Sequence, residues 1–230
     1  AYRYAKAEVF LLLGYLANFC SFGVMVTISN QFIKLIVERD IHFPFGSADE
    51  GAHGTFLGVF LSCIYVTQTL IFGVGVVWTG WQYRRWVLYL SEFIWLIMTL
   101  GIAWVTNPLI LIGMAFLLGL QAGHSYTSSL AYSFHVPGQK KGKFVGLHEA
   151  ILALGPVVFP PLAGAIATRT GDNRAPYFLC AGLTFITLVI QEVVFQVFWI
   201  MWKRKQNRAK ISTLKSPPTS PTNETSSTVN

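Results

Sequence analysis

Six long apolar stretches separated by short loops leave this 230-residue chain few ways to fold. An apolar run of about 20 residues spans the hydrocarbon core of a bilayer as a helix. The runs cover roughly 9–37, 55–78, 86–105, 109–136, 144–168 and 177–202. Each must satisfy its own backbone N–H and C=O groups in lipid, and a helix does so within one segment. Transmembrane strands would be shorter and would alternate in polarity. The expected fold is all-α: a polytopic membrane protein with six transmembrane helices in residues 1–205. No formal charge falls between Glu50 and Arg84, or between Glu92 and Lys140. Only 12% of the residues are charged, about half the fraction in a soluble domain.

The few basic residues are unevenly placed. Arg3, Lys6, Arg84, Arg85, Lys140, Lys141, Lys143, Lys203, Arg204, Lys205, Arg208, Lys210 and Lys215 all fall at the chain ends or on the second and fourth loops. The other side carries only Arg39, Arg169 and Arg174, with Lys34 inside the end of a segment. The positive-inside rule then puts both termini in the cytoplasm, in a plasma or inner membrane. The net charge of +7 is a topology signal and not a nucleic-acid footprint, because the basic residues flank membrane segments. Those from Lys203 to Lys210 would lie against anionic headgroups.

The connections are simple. Residues 38–54 form the longest outer loop, with Pro44, Gly46, the Asp49–Glu50 pair, His42 and His53. Residues 137–143 form a basic inner loop opened by Pro-Gly, and 169–176 an outer one with Gly171, Asp172 and Asn173. Residues 206–230 are expected to be a disordered cytoplasmic tail, since 212–230 are Ser, Thr, Pro and Asn with almost no large apolar residue. The sequon at Asn223 would be unused there. Cys20, Cys63 and Cys180 lie in predicted helices, so no disulfide framework is expected and no spacing suggests a metal site. Nothing calls for a cofactor. The first apolar stretch is too long for a signal peptide. The chain opens at Ala1 without an initiator Met, which reads as part of a longer protein or a trimmed form.

Polar residues within the spans carry whatever chemistry the protein performs, because lipid excludes them unless they face protein or water. On the fourth helix Gln121, Ser125, Ser128, Tyr132 and His135 fall in one narrow arc. Such a stripe either lines a water-filled path or glues the helix to its neighbours. His124 lies near its edge. The outer half of the first helix puts Thr27, Asn30, Gln31 and Lys34 on one face, with Asn18 and Ser21 elsewhere and a bend or break expected at Gly23. In the second helix Gly58, Ser62, Tyr65, Thr69 and Gly73 share a face, read as close helix packing for the glycines. The fifth helix carries Pro156, Pro160 and Pro161, which should distort it. His148 and Glu149 stand at its inner end, where the carboxylate could pair with Lys140–Lys143 as a gate or titrate as a coupling group. Glu192 is nearly central in the sixth helix, read as bonded to a neighbouring helix or as a proton relay.

The stretch GKFVGLHEAILALGPVVFPPLAG from Gly142 to Gly164 is similar to the penultimate helix of the major facilitator superfamily. Residues 113–129, with Gly119 and Gly123 before a serine-rich run, resemble the helix before it. The Arg84–Arg85 turn sits where that family repeats an inner-loop motif, but Gly80 and Trp81 stand in the region of the motif's Asp. The resemblance covers about residues 1–205 and implies the carboxy-terminal half of a twelve-helix carrier. It implies that the first, second, fourth and fifth helices line a central cavity shared with an amino-terminal half. The cavity residues it points to are Asn18, Asn30, Gln31, Tyr65, Gln68, Gln121, His124, Ser125, Ser128 and Glu149, and the stripe on the fourth helix adds Tyr132 to the expected substrate path. Glu149, His148, Arg84 and Arg85 become the coupling or gating set, while Glu92 and Glu192 are demoted.

The expected function is transport of a small organic solute by alternating access, with Glu149 or His124 as candidates for proton coupling. The alternative is a non-transporting receptor or assembly protein on the same fold. An intramembrane enzyme would need a clustered nucleophile and base, and the histidines and carboxylates are scattered.

Overall fold

The computed structural model describes residues 2–43, 51–135 and 141–215, with side chains described between 7 and 208. Pro44, Gly46, Asp49, Glu50, Lys140 and the sequon at Asn223 lie outside the described residues. Six helices follow in chain order: α1 (Tyr2–Glu38), α2 (Ala52–Val77), α3 (Arg85–Ile102), α4 (Pro108–Phe134), α5 (Lys141–Thr170) and α6 (Ala175–Lys215). All six are long and apolar enough to cross a membrane, so the chain is an integral, multi-pass, all-α membrane protein. Helix α6 runs past the boundary expected at 205, and residues 216–230 are outside the described set.

Helix α1 is the axis of the bundle. Of its apolar segment 72% is buried, against 17% in α2 and 22% in α5 and α6. It packs on α2, α4, α5 and α6, while α4 also holds α2 and α3. Its buried residues include Phe10, Leu13, Ala17, Val24, Ile28, Phe32 and Leu35. Facing them, α2 contributes Phe56, Phe60 and Ile64, with Phe32 and Phe60 4.2 Å apart between ring centres. Asn107 starts α4, its Oδ1 accepting from the backbone N–H of Leu109 and Ile110, with Pro108 as the first helical residue.

Glycines set the spacing, at positions other than those expected. An added Cβ on Gly58 or Gly73 would meet no described atom within 4 Å, so that face of α2 packs on nothing here. The close approach between α2 and α4 is made from the α4 side. A Cβ on Gly119 would run into the Ile64 carbonyl, and one on Gly123 would lie 2.9 Å from the Gln68 carbonyl. Gly23 is likewise no break, since α1 is one uninterrupted helix. Its role is contact: an added Cβ there would sit 2.6 Å from the Phe159 ring, and one on Gly155 2.5 Å from the Phe19 carbonyl. Helix α5 is also continuous despite Pro156, Pro160 and Pro161, although each proline leaves the carbonyl four residues back without its donor.

The turn between α2 and α3 is clamped by aromatics. Tyr83 has φ of 57°, unusual for a residue with a side chain. Its N–H donates to Tyr132 Oη at 3.3 Å, and Phe10 lies 5.5 Å from both rings. Burial raises the Tyr83 phenol above its ordinary pKa. Its Oη lies 2.8 Å from His135 Nδ1, in hydrogen-bond contact. Beside the turn, Arg85 pairs with Glu192 of α6 at 3.6 Å and stacks on Phe195 at 4.7 Å. Glu192 is thus an ion-pair partner of α3, a partner the sequence reading did not foresee.

Gly155→Val should force backbone against backbone and lower stability by at least about 1–3 kcal/mol, whereas Gly58→Ala should stay within about 0.5 kcal/mol. Thermal unfolding of the two variants in the same detergent checks the contrast; equal melting points would reject the glycine contact.

Candidate functional site

The polar stripe of α4 faces inward, toward α1. Gln121, Ser125, Ser128 and Tyr132 are all buried, while His135 at the helix end is exposed. Ser21 Oγ of α1 donates to Gln121 Oε1 at 2.8 Å, and Ser128 Oγ turns back to the Ser125 carbonyl at 3.0 Å. Ser125 Oγ has no partner. Tyr132 is drawn instead into the clamp on the α2–α3 turn. In this conformation the stripe joins helices.

Asn18 of α1 is completely buried, and neither polar atom of its side chain has a hydrogen-bond partner among the described residues. Gln31 and Gln68 are buried, with their Oε1 atoms likewise unpartnered among the described residues. A buried amide without a partner costs roughly 1–3 kcal/mol. Asn30 and Arg84 are exposed, as is Tyr65 of α2 at half its surface.

The densest polar array lies where α1, α4 and α5 meet. Tyr15 Oη donates to the Phe144 carbonyl at 2.6 Å and sits 3.1 Å from Ser133 Oγ. Tyr15 has one proton to give, so Ser133 is the donor toward it, sharing its own proton with the Ser129 carbonyl at 2.9 Å. Ser129 Oγ lies 2.7 Å from His148 Nδ1. His148 is fully buried, and its Nε2 stands 3.5 Å from Glu149 Oε1, within ion-pair reach but not as a formed hydrogen bond. Glu149 is half exposed and accepts from Tyr126 Oη at 3.3 Å. Tyr126 rests 5.0 Å from the rings of both His148 and Phe72. A buried imidazole is thereby linked to the open face of the bundle through one carboxylate.

His124 belongs to a different place. Ser91 Oγ gives its proton to the Leu88 carbonyl, so His124 Nδ1, 3.1 Å away, is the donor to Ser91. His124 then borders an apolar cavity of about 250 Å³ between α2, α3 and α4, walled by Ile71, Val74, Trp78, Trp81 and Leu90. The structure therefore separates His124 from the stripe it adjoins in sequence. A further polar pair was missed altogether: Gln191 Nε2 of α6 donates to the Leu13 carbonyl at 3.0 Å and to buried Glu92 Oε1 of α3 at 2.7 Å. Periodicity gives no hint of the pairing, because it depends on α3 and α6 becoming neighbours.

The family model described as Major Facilitator Superfamily matches residues 9–227. Comparison with individual curated proteins found no match.

Ser129→Ala would strip His148 Nδ1 of its buried partner and should destabilise the protein by about 1–3 kcal/mol. Thermal unfolding in detergent measures it, and an unchanged midpoint would mean that the Ser129–His148 bond is not formed.

Proposed function

The chain belongs to the major facilitator superfamily, and from that membership we propose that it is the carboxy-terminal six-helix half of a secondary active transporter. The superfamily consists in general of membrane transporters for small molecules. In this reading the half encloses a path for a small organic solute together with an amino-terminal half, and the two rock to give alternating access. The Lys and Arg asymmetry supports a cytoplasmic position for both ends of the segment. Helix α6 presents Phe185, Ile186, Val189, Ile190 and Val193 outward, a surface that suits lipid. Asn30, Tyr65 and Glu149 are exposed on α1, α2 and α5, the helices the superfamily turns to its cavity.

The observation that carries the proposal is the run Tyr15–Ser133–Ser129–His148–Glu149 between three cavity helices. A purely structural joint has no use for a carboxylate half open to solvent beside a fully buried imidazole. In our reading Glu149 receives a proton from the cavity, and His148 transmits the change to α1 and α4 through Ser129. The polar groups left without partners on Asn18, Gln31, Gln68 and Ser125 meet water or solute when the helices part. Amides, hydroxyls and imidazoles suit a neutral or weakly charged solute. The buried Ser21–Gln121 bond and the altered inner-loop motif at Gly80 and Trp81 favour the second reading, a non-transporting receptor or assembly protein.

The test reconstitutes the full-length carrier in proteoliposomes under a proton gradient, with a panel of labelled sugars and other neutral organic molecules. Glu149→Gln should reduce gradient-driven accumulation about tenfold or more, the worth of one charge-assisted hydrogen bond, while exchange of labelled for unlabelled solute persists. Unchanged accumulation would remove Glu149 from coupling. Gln121→Ala should lower flux with unchanged membrane insertion, and unchanged flux would take the α4 stripe out of the path. A correctly inserted protein that moves none of the panel would support the receptor reading.

A further inference from the structure

The end of the bundle that holds the α1–α2 connection is unusually well fixed. Glu38 Oε2 accepts from Asn173 Nδ2 of the α5–α6 turn at 2.6 Å. Arg39 Nη2 donates to the Ala103 carbonyl at the end of α3 at 2.5 Å. The next residue, Asp40, has φ of 50°, in the left-handed region that Asp tolerates better than most. The Ile41 N–H then returns to the Ile36 carbonyl at 2.8 Å and its side chain is buried. Phe43 packs edge-on against Phe56 of α2, 5.1 Å between ring centres. With Ile41 and Phe43 turned into the core, Asp40 and His42 are left outside. His53 stands in the first turn of α2, three residues before Phe56.

These anchors converge three side chains. Asp40 Oδ1 lies 3.2 Å from His53 Nε2 and 3.6 Å from His42 Nδ1, and the three ligand atoms are all within 4.8 Å of one another. The two imidazoles stand at 90° with centres 6.1 Å apart. We propose that Asp40, His42 and His53 form a binding site for a divalent transition-metal ion, with zinc the best-matched ion.

Ligand type and spacing both support this assignment. Two imidazoles and one carboxylate suit zinc and its neighbours, whereas calcium and magnesium take oxygen ligands. Zinc–nitrogen and zinc–oxygen bonds near 2.0–2.2 Å imply separations of about 3.4 Å between ligand atoms in a tetrahedral site. The two observed distances fall on either side of that value. A simple His–Asp hydrogen bond accounts for His53 but leaves a second imidazole, from the other side of the connection, aimed at the same oxygen. His42 Nδ1 donates to the Asp40 carbonyl at 3.0 Å, a bond that metal binding would exchange for coordination. Coordination through Nδ1 uses the tautomer with the proton on Nε2. The fourth position stays open to water. Both imidazoles are partly exposed and Asp40 is largely so, which leaves an entry route. Spacing along the chain did not single these residues out; the fold brings His53 back to them. A bound ion would tie the end of α1, already fastened to α3 and the α5–α6 turn, to the start of α2.

The full chain, purified without a histidine tag and treated with a chelator, is titrated with Zn²⁺ against a chromophoric competitor, and with Co²⁺ as a spectroscopic probe. One ion per chain is expected. His53→Ala and Asp40→Asn should each weaken binding at least about tenfold, and Phe43→Ala, which removes no ligand, should weaken it less by loosening the frame. His135→Ala should change nothing. Melting points of the variants in chelator guard against unfolding. The assignment is overturned if wild type binds no tighter than the His42→Ala/His53→Ala double variant. Mg²⁺ displacing Zn²⁺ at equal concentration would also overturn it.

Discussion

The bundle depends on how closely its helices approach. Once helices are in lipid, the hydrophobic effect no longer drives them together, because the acyl chains are as apolar as leucine. What remains is van der Waals contact, which needs short distances, and hydrogen bonds, which need them too. Gly119 and Gly123 let α4 lie against the backbone of α2, and Gly23 with Gly155 does the same for α1 and α5. The other features inherit that spacing. Tyr15 reaches the Phe144 carbonyl and Ser129 reaches His148 beside Gly14, where an added Cβ on α1 would lie 3.1 Å from Ser129 Cα of α4.

Polar side chains then divide by what they meet. Some are matched across helices: Arg85 with Glu192, Gln191 Nε2 with Glu92 Oε1 and the Leu13 carbonyl, Arg39 with the carbonyls that end α3. Several in the centre are not, Asn18 most of all. A structural core rarely leaves an amide buried and unanswered. Among the described residues such unanswered atoms also occur on α3 and α6, in Glu92 Oε2, Trp95 Nε1 and Gln191 Oε1.

Length and polarity made the six helices legible, because a membrane span is a one-dimensional signal. The polar arc on α4 was legible for the same reason, since 100° per residue converts sequence into a face. What that face meets was not. The helical wheel shows that Gly58 and Gly73 share a side of α2, but not that this side is bare and that Gly119 and Gly123 supply the contact. Gly23 reads equally well as a bend or as a notch for Phe159. Tyr132 belongs to the α4 stripe by angle and to the α2–α3 turn by contact. His124 adjoins Ser125 in sequence yet bonds to Ser91 across a different helix pair. Pairings such as Gln191 with Glu92, or His53 with Asp40, depend on which helices become neighbours. No local periodicity carries that information.

Helix α5 combines two features within a few residues. It is clamped against α1 at Gly155 and Phe159, and Pro156, Pro160 and Pro161 remove donors from its own backbone just there. A beam notched beside its clamp concentrates bending at the notch. Bending α5 at that point would break few backbone hydrogen bonds, because the missing rungs were never made.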